Sequence, residues 1–100
     1  MTDEHFGENN TPHRDRSETE HQIGELQAEH DHLHVEWADL QRQAMDAYGT
    51  LKAAFAGPMS DEMLKEADTI DMKLRTLHAR QREILDRQSE IEQQIVRRLR

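Results

Sequence analysis

Apolar residues, with His30, Gln81 and Gln88 as exceptions, recur along this chain at alternating steps of three and four residues, in two long stretches separated by one break. In the first stretch these positions are Ile23, Leu26, His30, Leu33, Trp37, Leu40, Ala44, Ala47, Leu51 and Ala54. In the second stretch they are Met63, Ala67, Ile70, Leu74, Leu77, Gln81, Ile84, Gln88, Ile91 and Ile95. A run of about five such heptads is typical of helices in a coiled coil. We call these positions the seam, and each stretch predicts one long helix.

The dipeptide Gly57-Pro58 breaks the pattern and predicts a turn between the two helices. Ser60 follows it and is a favourable N-cap for the second helix. Near the other end of the chain, Ser17 begins a capping box, Ser-Glu-Thr-Glu, which predicts the start of the first helix. The residues before it show no apolar periodicity and predict a disordered acidic tail that contains histidines. The predicted boundaries are a tail at 1–16 and a helical hairpin at 17–100, with helices at 18–56 and 61–99 and a turn at 57–60.

The predicted fold is all-α, an antiparallel helical hairpin in the form of a two-helix coiled coil. Folding the chain at the turn sets Leu40 opposite Leu74 and Trp37 opposite Leu77. The same register sets the acidic start of the first helix beside the basic end of the second. On one flank of the seam, which we call the ion-pair flank, the predicted pairs are Glu29–Arg87, Glu36–Arg80 and Gln43–Lys73. Pairs of this kind favour one orientation and one register.

The opposite flank of the seam carries fewer charges, and we call it the weakly charged flank. Asp71 and Arg75 interrupt it, so it is not a continuous apolar stripe. Two helices cover only a narrow seam, and a second apolar face usually packs against further helices. We therefore predict a partner or dimer interface, with a homodimeric four-helix bundle as the simplest form, made by Gln41, Met45, Tyr48, Leu64, His78, Leu85, Val96 and Leu99. The alternative is that these are scattered surface residues of an ordinary kind.

Composition narrows the classes of protein. Only 34% of the 100 residues are apolar, against a typical ~45–50%, which argues against a large globular core and against most enzymes. Cysteine is absent, so thiol nucleophiles and thiolate metal sites are excluded. The net charge of −8 disfavours nucleic-acid binding. Because no apolar run is long enough for a membrane span or a signal-peptide core, we expect a cytoplasmic protein without a membrane partner.

Histidines are concentrated before residue 35, and three of them suggest a site. The predicted register sets His30 in the seam, His34 one turn later and His78 across from it on the second helix. Three imidazoles arranged in this way could bind zinc. Alternatively, protonation of His30 beside Ile84 at low pH would loosen the seam. The remaining possibility is that His34 and His78 are surface residues and that His30 is a polar residue of the seam. No cofactor is predicted.

The function predicted from these features is that of a small acidic interaction module, an adaptor, inhibitor or regulatory subunit that acts by binding another protein. No phosphate-binding loop, nucleophile elbow or metalloprotease motif occurs, so an enzyme is not expected. Two alternatives remain besides the histidine-based metal or pH response. An acidic rod can imitate a nucleic-acid backbone and inhibit a protein with a basic groove.

The second alternative is a secreted helical hairpin. The chain resembles the secreted W-x-G hairpin family in length and in carrying a tripeptide, Phe55-Ala56-Gly57, at its turn. The resemblance implies pairing with a neighbouring chain of similar size. Trp37 lies in mid-helix instead of at the turn, and the family's Tyr-x-x-x-acid signal is missing. The resemblance is therefore one of shape and identifies no family.

Overall fold

The computed structural model describes the backbone of residues 2–100 and the side chains of residues 16–100. Within that part of the chain the structure consists of two α-helices, α1 at Thr2–Phe55 and α2 at Asp61–Leu99, and contains no strand. The two helices pack against each other as an antiparallel hairpin. The predicted all-α hairpin is thus confirmed. Neither helix, over the residues described, is long and apolar enough to cross a membrane.

Helix α1 begins upstream of Ser17, the residue that the capping box marked as its first cap. Neither glycine nor proline occurs between His13 and Ile23, so the local sequence does not force a helix end there. The prediction of a disordered tail falls largely on residues 1–15, whose side chains lie outside the described part of the structure. That prediction stays untested.

The turn follows the predicted sequence signals closely. Helix α1 ends in a tightened last turn, in which the amide of Ala56 donates to the carbonyls of Lys52 and Ala53, both at 3.2 Å. Ser60 has the extended backbone of an N-cap, and its hydroxyl accepts from the amide of Met63 at 3.1 Å. The predicted cap at Ser60 is therefore confirmed. It fixes the direction in which α2 leaves the turn.

The seam forms the core of the hairpin. Every predicted seam residue is buried or half-buried, and the outward faces of both helices are exposed. Two clusters of buried residues divide the seam. The turn half contains Ala44, Ala47, Ile70, Leu74 and Leu77, with Leu40 and Leu51 packed against them. The open half contains Leu33, Ile84 and Ile91, with Leu26, Trp37, Leu40 and Ile95 packed against them.

Candidate interaction surface

The ion-pair flank is closed by two arginines that bind glutamates on the other helix. Arg80 donates through Nε and Nη2 to the two carboxylate oxygens of Glu36, at 2.7 and 2.9 Å. One heptad further along α2, Arg87 makes the same forked contact with Glu29, at 2.6 and 2.9 Å. Two-pronged contacts of this kind require one relative position of the two side chains. They confirm two of the three predicted pairs and fix the register of the hairpin.

These contacts also change the acid–base behaviour of the flank. Hydrogen bonds from Arg87 lower the pKa of Glu29, against an opposing contribution from its partial burial. Hydrogen bonds from Arg80 lower the pKa of Glu36 in the same way. In return, the pKa of each arginine is raised by its glutamate. The flank is therefore fully charged at neutral pH and has its strongest donors already engaged within the chain.

The third predicted pair takes a different form. Gln43 was predicted to face Lys73, but its amide donates to the carboxylate of Asp39 at 3.0 Å, one turn earlier on its own helix. A carboxylate accepts a hydrogen bond from the amide NH₂ group, whereas an ammonium group has no acceptor and can only donate to the amide oxygen. The local acceptor on α1 therefore decides where the Gln43 side chain lies.

Two glutamines of α2 are buried in the seam and bond to the backbone of α1. The amide nitrogen of Gln81 donates to the carbonyl of Trp37 at 3.4 Å and to the side-chain oxygen of Gln41 at 3.0 Å. Gln88 donates to the carbonyl of His30 at 3.3 Å. The predicted register sets Leu33 opposite Gln81 and Leu26 opposite Gln88. Both acceptors lie one turn nearer the hairpin turn than these residues, because side chains lean towards the N-terminus of their own helix.

The weakly charged flank is open along the hairpin. All of its predicted interface residues are exposed: Gln41, Met45, Tyr48, Leu64, His78, Leu85, Val96 and Leu99. Tyr48 and His78 approach each other across the two helices, with ring centroids 6.1 Å apart. Gln41 is tied to the seam through its bond with Gln81. Within residues 16–100, the flank thus presents large apolar side chains from both helices that are about half exposed or more.

Two further large apolar residues are exposed near the turn and were not predicted as part of the surface. Phe55 ends α1 on the weakly charged flank, and Met59, in the turn, is 79% exposed. The heptad spacing could have identified Phe55, because it lies seven residues after Tyr48. The open flank therefore continues to the turn.

The three histidines proposed for zinc do not come together. Nε2 of His30 lies 3.0 Å from the carboxylate of Glu92 on α2, while the His78 ring lies beside Tyr48. Among the side chains described, no group of three His, Asp or Glu residues is placed to hold a metal ion. The geometric reason is the lean of each side chain towards its own N-terminus, which moves His78 towards the turn and away from His34.

The contact with Glu92 gives the His30 side chain a polar neighbour across the hairpin, in addition to the apolar seam residues around it.

Comparison of the chain with protein-family models, curated proteins and solved structures finds no match.

Proposed function

We propose that this chain is a protein–protein interaction module that self-associates through its weakly charged flank into a four-helix bundle and acts by binding another protein. The proposal depends most on the difference between the two flanks. One flank is closed by forked ion pairs, at Glu36–Arg80 and Glu29–Arg87. The other exposes large apolar residues on the same side of both helices, and water is a poor solvent for such a face.

A second copy of the chain is the occupant that this face fits most simply. Helical hairpins with an apolar seam and one apolar flank complete their core by pairing into four-helix bundles. Such pairing is usually two-fold symmetric, so the same patch is used on both copies. A bundle of this kind would leave the ion-pair flanks and the turns accessible to another protein.

The chain offers a matched pair of residues for testing this proposal. Met45 lies on the weakly charged flank and is 64% exposed, whereas Met72 lies on the outward face of α2 and is 69% exposed. Met45→Glu should abolish or strongly weaken self-association, because it buries a charge in the proposed interface. Met72→Glu should leave it unchanged. Molar mass by sedimentation equilibrium, at two concentrations and with or without zinc, measures both.

The outcomes separate clearly. A dimer that Met45→Glu dissociates and Met72→Glu preserves supports the proposal. A monomeric wild-type chain at both concentrations contradicts self-association. A dimer that forms only when zinc is added would make the histidines, not the apolar flank, the cause of assembly.

A further inference from the structure

Basic side chains are concentrated in the middle of α2. Between Asp71 and Glu83 the helix contains no acid and four bases, which are Lys73, Arg75, Arg80 and Arg82. The chain as a whole carries a net charge of −8, so this part of α2 is opposite in sign to the molecule as a whole. The question is which of these bases already have a partner within the chain.

The arginine on the ion-pair flank has its partners, whereas those on the other side of α2 do not. Arg80 is bound by Glu36 and by Glu83. Arg75 lies 3.0 Å from the carboxylate of Asp71 on its own helix, in a pair whose side chains are 81% and 55% exposed. Exposed pairs of this kind contribute little free energy. Arg82 forms no ion pair with a described side chain, so both guanidinium groups are accessible to another molecule.

An open groove of about 380 Å³ lies between these two arginines. Its lining consists of Arg75, His78, Ala79 and Arg82, and we call it the arginine groove. His78 belongs to the weakly charged flank, whereas Ala79 follows Met72 by one heptad and lies on the outward face of α2. A second copy that docks on the flank would therefore border this groove and leave its outward side open.

Three other grooves along the hairpin each contain an acidic side chain. The groove at the end of α2 includes Glu92, and the one beside Arg98 includes Glu25 and Glu29. The groove on α1 includes Asp39, which pairs with an arginine of the same groove. The arginine groove differs from these three because it offers N–H donors and no carboxylate. Its positive charge is not cancelled by its own lining.

We infer that the arginine groove binds an acidic helical segment of the partner protein, through two carboxylates one heptad apart. Arg75 and Arg82 are themselves one heptad apart, about 10 Å along the helix axis, and acids at the same spacing on a second helix match them. A guanidinium group binds a carboxylate through two parallel N–H donors. The short side chain of Ala79 lets the second helix approach between the arginines. The inference rests on the proposed function and specifies the chemistry of the partner.

A nucleic acid fits this groove less well than a short acidic segment. Asp68 and Asp71 precede the groove along α2, and Asp86 follows it. A continuous polyanion that followed the helix would run over these acids and be repelled. A short acidic segment contacts only the groove, and charges further away than ~8 Å are largely screened at physiological ionic strength.

Binding of a designed peptide to the full chain tests the inference. The probe is an alanine-based helical peptide that carries two glutamates one heptad apart, and the control peptide carries lysines at the same two positions. The chain should bind the glutamate peptide and not the lysine peptide, with an affinity that falls as salt is added. Isothermal titration calorimetry measures the affinity. In nuclear magnetic resonance spectra, the amide signals of residues 75–82 should shift.

A pair of double variants assigns the binding to the groove. Arg75→Ala with Arg82→Ala should weaken binding of the glutamate peptide at least about tenfold, because two charge-assisted contacts are lost. Arg42→Ala with Arg97→Ala removes the same charge from exposed positions outside the groove and should weaken binding less than about twofold. Circular dichroism checks that each variant remains helical. Equal losses in the two double variants would show that net charge attracts the peptide, which would overturn the inference.

The remaining outcomes identify other occupants. Inorganic phosphate that shifts the same signals at the peptide's concentration would indicate a site for small anions. A single-stranded oligonucleotide that binds more tightly than the peptide would indicate a nucleic-acid site. A peptide that dissociates the dimer would show that the second copy occupies the groove. Each of these results would overturn the inference.

Failure of the inference and failure of self-association are distinguishable. A wild-type chain that dimerises in sedimentation equilibrium but does not bind the glutamate peptide overturns the inference and leaves self-association intact. A monomeric wild-type chain that binds the peptide contradicts self-association and supports the inference.

Discussion

The two halves of the seam are built differently. Next to the turn, the buried residues are all apolar and include two small ones, Ala44 and Ala47, which allow the helices to approach closely. In the open half, larger residues such as Ile84 alternate with the buried amides of Gln81 and Gln88. The indole nitrogen of Trp37 is also buried here, without an acceptor among the described side chains. The polar residues are thus concentrated away from the turn.

The apolar turn half therefore contributes mainly to stability, whereas the polar residues of the open half contribute mainly to the register. Close to the turn, the short connection and the Ser60 cap already determine which residues face each other. Further away that constraint weakens, and apolar layers of similar size tolerate a shift by one heptad. Gln81 and Gln88 bond to particular carbonyls of α1, and a shifted hairpin would bury their amides without those partners. Polar seam residues specify register in coiled coils at some cost in stability.

The largest expected effect on stability comes from a cavity in either half of the seam. Leu74→Ala in the turn half and Ile84→Ala in the open half should each lower the free energy of unfolding by ~2–5 kcal/mol, because both side chains are buried. Thermal and urea unfolding measure the change. Met72→Ala, at an exposed position, should change stability by less than about 0.5 kcal/mol. If Leu74→Ala behaved like Met72→Ala, Leu74 would not lie in the core and the register would be wrong.

Replacing the two buried glutamines should have a smaller effect on stability, and one of opposite sign. Gln81→Leu with Gln88→Leu should raise stability by about 1 kcal/mol, because it removes two buried amides from an apolar seam. The same variant should populate more than one association state in sedimentation velocity, since only the partly exposed ion pairs Glu29–Arg87 and Glu36–Arg80 then select the register, and such pairs contribute little free energy. Gln93→Leu, at an exposed position, is the control. A less stable variant with a single association state would show that these amides stabilise the hairpin and do not specify it.

The smallest expected effect is on the pH dependence of stability. The arginine hydrogen bonds lower the pKa of Glu29 and Glu36 in the folded chain below the usual value of 4.5. The unfolded chain therefore binds protons first as the solution is acidified, so these pairs stabilise the hairpin above about pH 4.5 and lose their contribution as pH falls through the lowered pKa values. Glu29→Gln with Glu36→Gln should reduce the fall in melting temperature between neutral pH and pH 3.

A control for that measurement is Glu66→Gln, which removes an exposed carboxylate that no described side chain of α1 binds. It should leave the pH dependence close to that of the wild type. Equal slopes for all three proteins would mean that the ion-pair flank does not contribute to acid sensitivity.

Sequence periodicity predicted the seam, the turn and the ion pairs because each depends on backbone geometry that repeats along a helix. The heptad positions of Glu36 and Arg80 bring the two residues to the same flank at the same level, within reach of their long side chains. The Ser60 cap follows from a local signal of the same kind. These features could be located to the residue without knowledge of the three-dimensional structure.

Contacts that depend on side-chain direction could not be predicted in this way. The heptad positions set His78 across from His34, but the lean of the ring brings it to Tyr48. Glu92 was not identified as a partner of His30 for the same reason. Competition between nearby acceptors is also invisible to periodicity, which explains why Gln43 bonds to Asp39 and not towards Lys73. The occupant of the weakly charged flank remains a proposal.

The single turn between the helices also dictates how the hairpin comes apart. Bonded residues are 40 positions apart at Gln41–Gln81, 58 at Glu29–Arg87 and 76 at Gln22–Arg98. Closing the last of these alone would cost far more chain entropy than adding it to layers already formed, so assembly proceeds outward from the turn. A pulling force applied at the open end would reverse that order. It would separate Gln22 from Arg98 first and the leucines beside the turn last, one heptad at a time.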